Sequence, residues 1–95
     1  MKNLPKTQIC ELCQREVDWL TRHHLVPREE GGHLGPTAML CQPCHSTIHL
    51  QLTNQELAVM FNTLPALQVA EPLQKYFKWI KTRPVTRLVN RRKKR

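Results

Sequence analysis

The hydrophobic and polar positions change period twice along the chain. From Trp19 to Val26 they read as a strand ended by Pro27, with Leu20, Arg22, His24 and Val26 on one face and Trp19, Thr21, His23 and Leu25 on the other. Residues Arg28 to Pro36 hold all three glycines and read as a loop, and Thr37 to Cys41 reads as a short second strand closing a hairpin-like pair. The period then becomes helical. Pro43 suits a first helical turn, and Cys44 to Leu52 forms the body, with His45 and His49 four apart on one face and Cys44 and Ile48 on another. Thr53-Asn54-Gln55-Glu56 has the form of a capping box, followed by an apolar stripe of Leu57, Met60, Phe61 and Leu64 that Pro65 should end. A last helix is predicted from near Glu71-Pro72, with Leu73, Phe77 and Ile80 inward, and Pro84 as its stop.

This pattern predicts an α+β chain in three parts: a flexible leader over 1–9, one folded domain over 10–83, and a basic tail over 84–95. Ninety-five residues make one small domain, and aromatics are only 5% of it. A core this thin usually needs a staple. No apolar segment near the N-terminus resembles a secretory signal, and no run approaches transmembrane length. Reduced thiols in a cytoplasmic setting, with no membrane partner, are therefore expected. Charge is unevenly placed. Residues 1–74 carry five Lys/Arg against seven Asp/Glu, whereas residues 75–95 carry ten basic residues and no acid. Such an end suits a polyanion, so nucleic acid is the expected partner, as against a merely solubilising tail.

Cysteine spacing supplies the staple. Cys10-x2-Cys13 and Cys41-x2-Cys44 enclose 27 residues, and four thiolates in two knuckles match a closed tetrahedral zinc site. All five histidines lie between Arg22 and His49. With the cysteines already filling one zinc, the His23-His24 pair and the i, i+4 pair His45 and His49 point to a second metal site rather than to packing.

On these residues the chain resembles the HNH endonuclease family. The matching pieces are His23-His24-Leu-Val-Pro, the Gly31-Gly32 loop and Leu40-Cys41-x2-Cys44-His45-x3-His49, with Cys10-x2-Cys13 before them. The resemblance covers about residues 10–57. It implies a zinc-stapled ββα-metal domain, here followed by two C-terminal helices and the basic tail. It also implies an endonuclease that hydrolyses phosphodiester bonds of DNA with one divalent metal. Carried over by position, His24 is the general base, His23 and His45 are ligands of the catalytic metal, and His49 is a third ligand or a contact to the scissile phosphate. Neutral imidazole suits proton abstraction near neutral pH. Two departures stand out. Many members have Asp-His where this chain has His23-His24, which widens the expected metals from Mg2+ to Mn2+, Ni2+, Co2+ or Zn2+. The family's Asn shortly before the third cysteine is replaced by Pro36-Thr37, leaving Thr37 to brace the loop.

Arg22, Arg28 and Arg87, with the run Arg91, Arg92, Lys93, Lys94 and Arg95, are the candidate phosphate contacts. His33 is expected in solvent, and Trp19 and Trp79 at the core or its edge. The rival reading is a non-catalytic zinc module that binds nucleic acid through the tail.

Overall fold

Two antiparallel hairpins and four helices follow one another along residues 8–88, the part of the chain that this computed structural model describes. The first hairpin pairs β1 (Gln8–Ile9) with β2 (Glu16–Val17). Gln8 and Ile9 thus pair instead of ending a leader. Between the two strands the first CxxC makes a tight knuckle in which Gln14 adopts φ 66° and its N–H donates to the Cys10 carbonyl at 2.9 Å. A non-glycine residue at positive φ is held only where its surroundings demand it.

The second hairpin pairs β3 (Thr21–His24) with β4 (Thr37–Leu40), in a register that sets His23 opposite Ala38 and His24 opposite Thr37. Both strands are shorter than the sequence pattern predicts. Val26 and Pro27 turn into a 3-10 turn at Arg28–Glu30, and Cys41 becomes the N-cap of the next helix. The Gly31-Gly32 loop is tight. Gly31 sits at φ 92°, and a Cβ on Gly32 would overlap the Val26 carbonyl. Thr37 is exposed, and the loop is braced by main chain: Leu25 N–H donates to Pro36 O at 3.1 Å and Gly32 N–H to Pro27 O at 3.0 Å. Glu11 docks the first knuckle on β4, donating from its main chain to Met39 O at 3.0 Å and accepting from Met39 N–H at 2.9 Å.

Helix α1 (Gln42–Gln51) carries Pro43 in its first turn, where no N–H is required. α2 (Asn54–Val59) begins on the complete capping box of Thr53 and Glu56. The single stripe expected to run on to Leu64 does not form. Asn62 turns back to the Ala58 carbonyl at 2.8 Å, and Thr63 caps a separate α3 (Leu64–Gln68) by accepting from Ala66 N–H at 3.2 Å. Pro65 therefore opens α3 rather than closing α2, and Met60 stays 59% exposed. A 3-10 turn at Glu71–Leu73 leads into α4 (Gln74–Ile80).

The core is one cluster. Leu40, Ile48, Leu57, Leu67, Leu73 and Ile80 are fully buried together with Cys10, Cys41 and Cys44. The apolar helices and the cysteine knuckles thus share one interior, which ties helix packing to the state of the thiols. Trp79, expected near the core edge, is 37% exposed, with the Arg83 guanidinium 5.6 Å from its ring. Past α4, Val85 packs against the core and Leu88 is held by Gln42. The phosphate contacts expected at Arg91, Arg92, Lys93, Lys94 and Arg95 lie outside the described residues. Among the described residues, no helix is long and apolar enough to cross a membrane.

Candidate metal centres and the histidine face

The four cysteines meet at one point, their sulfurs all within 4.8 Å of one another. All four are unbridged and buried. Zinc–sulfur bonds of about 2.3 Å at the tetrahedral angle place sulfurs about 3.8 Å apart, and Cys13 Sγ lies 3.8 Å from Cys41 Sγ. A disulfide would need about 2.05 Å. Each sulfur also has a donor: Cys10 takes the N–H groups of Leu12 and Cys13 at 3.4 Å. Arg15 donates to Cys13 at 3.3 Å and to Cys41 at 3.5 Å, and Tyr76 OH donates to Cys44 at 3.1 Å. Donors of this kind stabilise thiolates, not thiols. Hydrogen bonds from Cys13, Cys41 and Cys44 hold Cys10 far below the ordinary thiol range, while Cys10 and the other sulfurs push Cys44 well above it. The cluster is one shared titrating group that sheds its protons fully when a dication arrives. The residues fit a structural zinc ion.

Arg15 and Tyr76 were not legible as site residues. Arg15 is two residues past Cys13, but its bond to Cys41 and that of Tyr76 to Cys44 span 26 and 32 positions, so only the fold makes them. Replacing such supporting donors typically costs about 10–100-fold in metal affinity. The double variant Arg15→Met, Tyr76→Phe is therefore expected to hold zinc about that much less tightly, checked by competition with a chromogenic chelator at neutral pH.

The second cluster gathers His23 from β3 with His45 and His49 from α1, their nearest ring nitrogens within 4.8 Å of one another. The ring centroids form a nearly equilateral triangle of 5.1, 5.3 and 5.1 Å. Helical spacing puts His45 and His49 one turn apart on one face, and strand alternation turns His23 toward them. His23 is 1% exposed, and neither of its ring nitrogens has a hydrogen-bond partner among the described residues. An unpaired buried polar group costs about 1–3 kcal/mol, and a cation among the three rings would remove that cost. Thr21 fixes the neighbouring ring. Its hydroxyl donates to Leu40 O at 3.0 Å, so it accepts from His45 Nδ1–H at 2.7 Å and leaves the His45 Nε2 lone pair free to bind. Thr21 was missed as a site residue, although its place two residues before His23 on the same strand face carried the signal.

Burial, followed by the charges of its histidine neighbours, lowers the His23 pKa to about 3. Burial first and then His49 and His24 lower that of His45 to about 4. Burial lowers that of His49 too, against an opposing pull from Glu29. All three rings are therefore neutral near pH 7, the form in which imidazole binds a metal.

His24 does not join the triangle. Strand alternation turns it, half-buried, into an adjoining pocket of about 280 Å³ shared with His45, His49, Arg22, Arg28 and Asn54. Arg22 and Arg28 are exposed at its rim, and Arg87 is exposed on the C-terminal segment. Asn54, at the start of α2, reaches Glu29 Oε1 at 3.3 Å and lines the same pocket. Its distance in sequence from the cysteine knuckles hid that placement. His33 is exposed.

A family model described as HNH endonuclease matches residues 10–51. The chain is 51% identical over 85 residues to Uncharacterized protein YisB of Bacillus subtilis (strain 168), an alignment covering 90% of this chain and 85% of that protein. No solved structure matches.

Proposed function

We infer the reaction from one premise: the chain belongs to the HNH endonuclease family. We propose that it is a metal-dependent endonuclease hydrolysing phosphodiester bonds of DNA, with a structural zinc on Cys10, Cys13, Cys41 and Cys44. The observation that carries this reading is the unpaired, buried His23 ring, which together with His45 and His49 surrounds a point suited to one divalent cation. His23 and His45 would hold that ion, with His49 as a third ligand or a contact to the scissile phosphate. When bound, the metal supplies positive charge to offset what builds on the phosphate and the leaving oxygen.

His24 is then the general base. It stands beside the triangle without being part of it, and the pocket gives it room for water and phosphate. Taking a proton from a water aligned with the scissile bond, it would promote in-line attack, leaving 5′-phosphate and 3′-hydroxyl ends. Arg22 and Arg28, at the rim of the same pocket, would bind flanking phosphates. With Arg87 and the basic run Arg91–Arg95 they would supply the attraction to nucleic acid that the rest of the chain lacks. A three-imidazole set shifts the preference from the hard Mg2+ toward Mn2+, Ni2+, Co2+ or Zn2+. Four unbridged cysteines fit a reducing, cytoplasmic setting.

Incubating supercoiled plasmid with the protein and each divalent metal in turn tests the reading. Conversion to nicked or linear DNA that depends on added metal and stops with EDTA is expected. No cutting with any metal, alongside retained DNA binding, would instead identify a non-catalytic zinc module.

A further inference from the structure

The 3-10 turn after β3 is pinned by its own main chain. Glu30 N–H donates to Pro27 O at 2.9 Å, and Gly31, at φ 92°, returns its N–H to Arg28 O at 3.1 Å. This turn sets Arg28 and Glu29 into the wall of the histidine pocket, together with Arg22, His24, His45 and His49. Asn54, placed by the capping box that starts α2, lines the same pocket and donates from Nδ2 to Glu29 Oε1 at 3.3 Å. Among the described residues, Glu29 is the one carboxylate that lines this pocket. It is exposed and is not part of the ring triangle.

We propose that Glu29, held by Asn54, balances the charge of this site: it draws a divalent cation to His23, His45 and His49 and opposes phosphate, so that phosphate in the pocket depends on the bound ion. The inference rests on the nuclease reading for what the site is. An acid at this place needs a reason. Arg22 and Arg28 suit a phosphate, and a carboxylate in the same wall weakens that attraction. Three neutral imidazoles, in turn, offer a dication no opposite charge. Burial lowers the His49 pKa, and Glu29 is the group that pulls it back up. The carboxylate thus acts on a charge at that ring, and a dication there feels a pull of the same sign. Groups supporting histidine ligands are worth about 10–100-fold in metal affinity, and the exposure of Glu29 to water sets it at the lower end. Toward phosphate the sign reverses. Two unit charges about 4 Å apart in water are worth about fivefold, and added separation and salt reduce this to about twofold. Glu29 acts through the rings and the ion as a positioning residue.

The full chain with zinc on its cysteines tests this with two separate probes. One is Ni2+ alone, followed by calorimetry, with His45→Ala marking the heat that belongs to the histidine site. The other is a labelled duplex alone, followed by anisotropy at low salt without added divalent metal. Glu29→Gln keeps an acceptor for Asn54 and removes only the charge. It is expected to bind Ni2+ about tenfold more weakly and the duplex about twofold more tightly. Glu29→Lys should move both affinities further in the same directions. Asn54→Ala should weaken Ni2+ binding about threefold when Glu29 is present and have no effect in Glu29→Gln. Loss of a packing contact would weaken both ligands together, whereas charge moves them in opposite directions. Unchanged Ni2+ affinity in Glu29→Gln, duplex affinity unchanged or weakened, or an Asn54→Ala effect equal in both backgrounds would overturn the proposal. So would a fall in cysteine-bound zinc with Glu29→Gln, which would make the role structural. Neither readout needs cleavage. Wild-type protein that binds no Ni2+ beyond its cysteine zinc loses the metal of the nuclease reading and this proposal with it. Wild-type protein that binds Ni2+, with Glu29→Gln binding it equally, loses only the role of Glu29.

Discussion

Cys41→Ser is expected to lose its zinc, most of its helical signal and any cutting in a single step. Cys41 holds three roles at once. Its sulfur lies 3.8 Å from Cys13 Sγ, its side chain is fully buried in the core, and its backbone is the N-cap of α1, which carries His45 and His49. Zinc binding at such sites is worth about 10–16 kcal/mol of folding free energy. The whole stability of a small domain is about 5–15 kcal/mol. Losing one of four thiolates therefore removes an amount comparable to the entire margin. A serine hydroxyl does not replace it, because it is a poor ligand and remains protonated. The measurements are zinc per chain by elemental analysis and far-ultraviolet circular dichroism, made on the same sample. Wild-type protein that is folded yet holds no zinc would overturn the structural role of the cysteines.

Elements whose signal is local were legible in the sequence. Capping chemistry placed α2 from Thr53 and Glu56, Pro43 placed the first turn of α1, and strand alternation separated His23 from His24. The cysteine and histidine groupings followed from spacing, because CxxC and an i, i+4 histidine pair already set their side chains side by side. What escaped the sequence was set by partners distant along the chain. Pro65 reads equally as a stop or as a first-turn residue, and the cap at Thr63 decides between them. Tyr76, Gln42 and Arg15 in its contact with Cys41 gain their roles only when residues tens of positions away arrive beside them. No periodicity encodes such contacts. Asn54 entered the histidine pocket for the same reason, carried there by the packing of α2 on the Arg28–Glu30 turn.

Substitutions at neighbouring histidines are expected to fail in different ways, and the contrast distinguishes proton transfer from metal binding. His24→Ala should keep the fold, the zinc and the affinity for DNA, while the cutting rate falls by about 10²–10⁴-fold, the usual worth of a general base. His24 lies outside the triangle and half-buried in the pocket, so its loss leaves the three rings and the core intact. Raising the metal concentration should recover nothing. His45→Ala instead removes one corner of the triangle and breaks the hydrogen bond from Nδ1 to Thr21. On the proposed reading the missing group would hold the ion and not the proton, so its activity should rise with added metal toward that of the wild type. Rates measured across a metal titration give both answers in one experiment. Cutting by His24→Ala at the wild-type rate would remove His24 from the mechanism and leave water activation to be assigned to another group in the pocket.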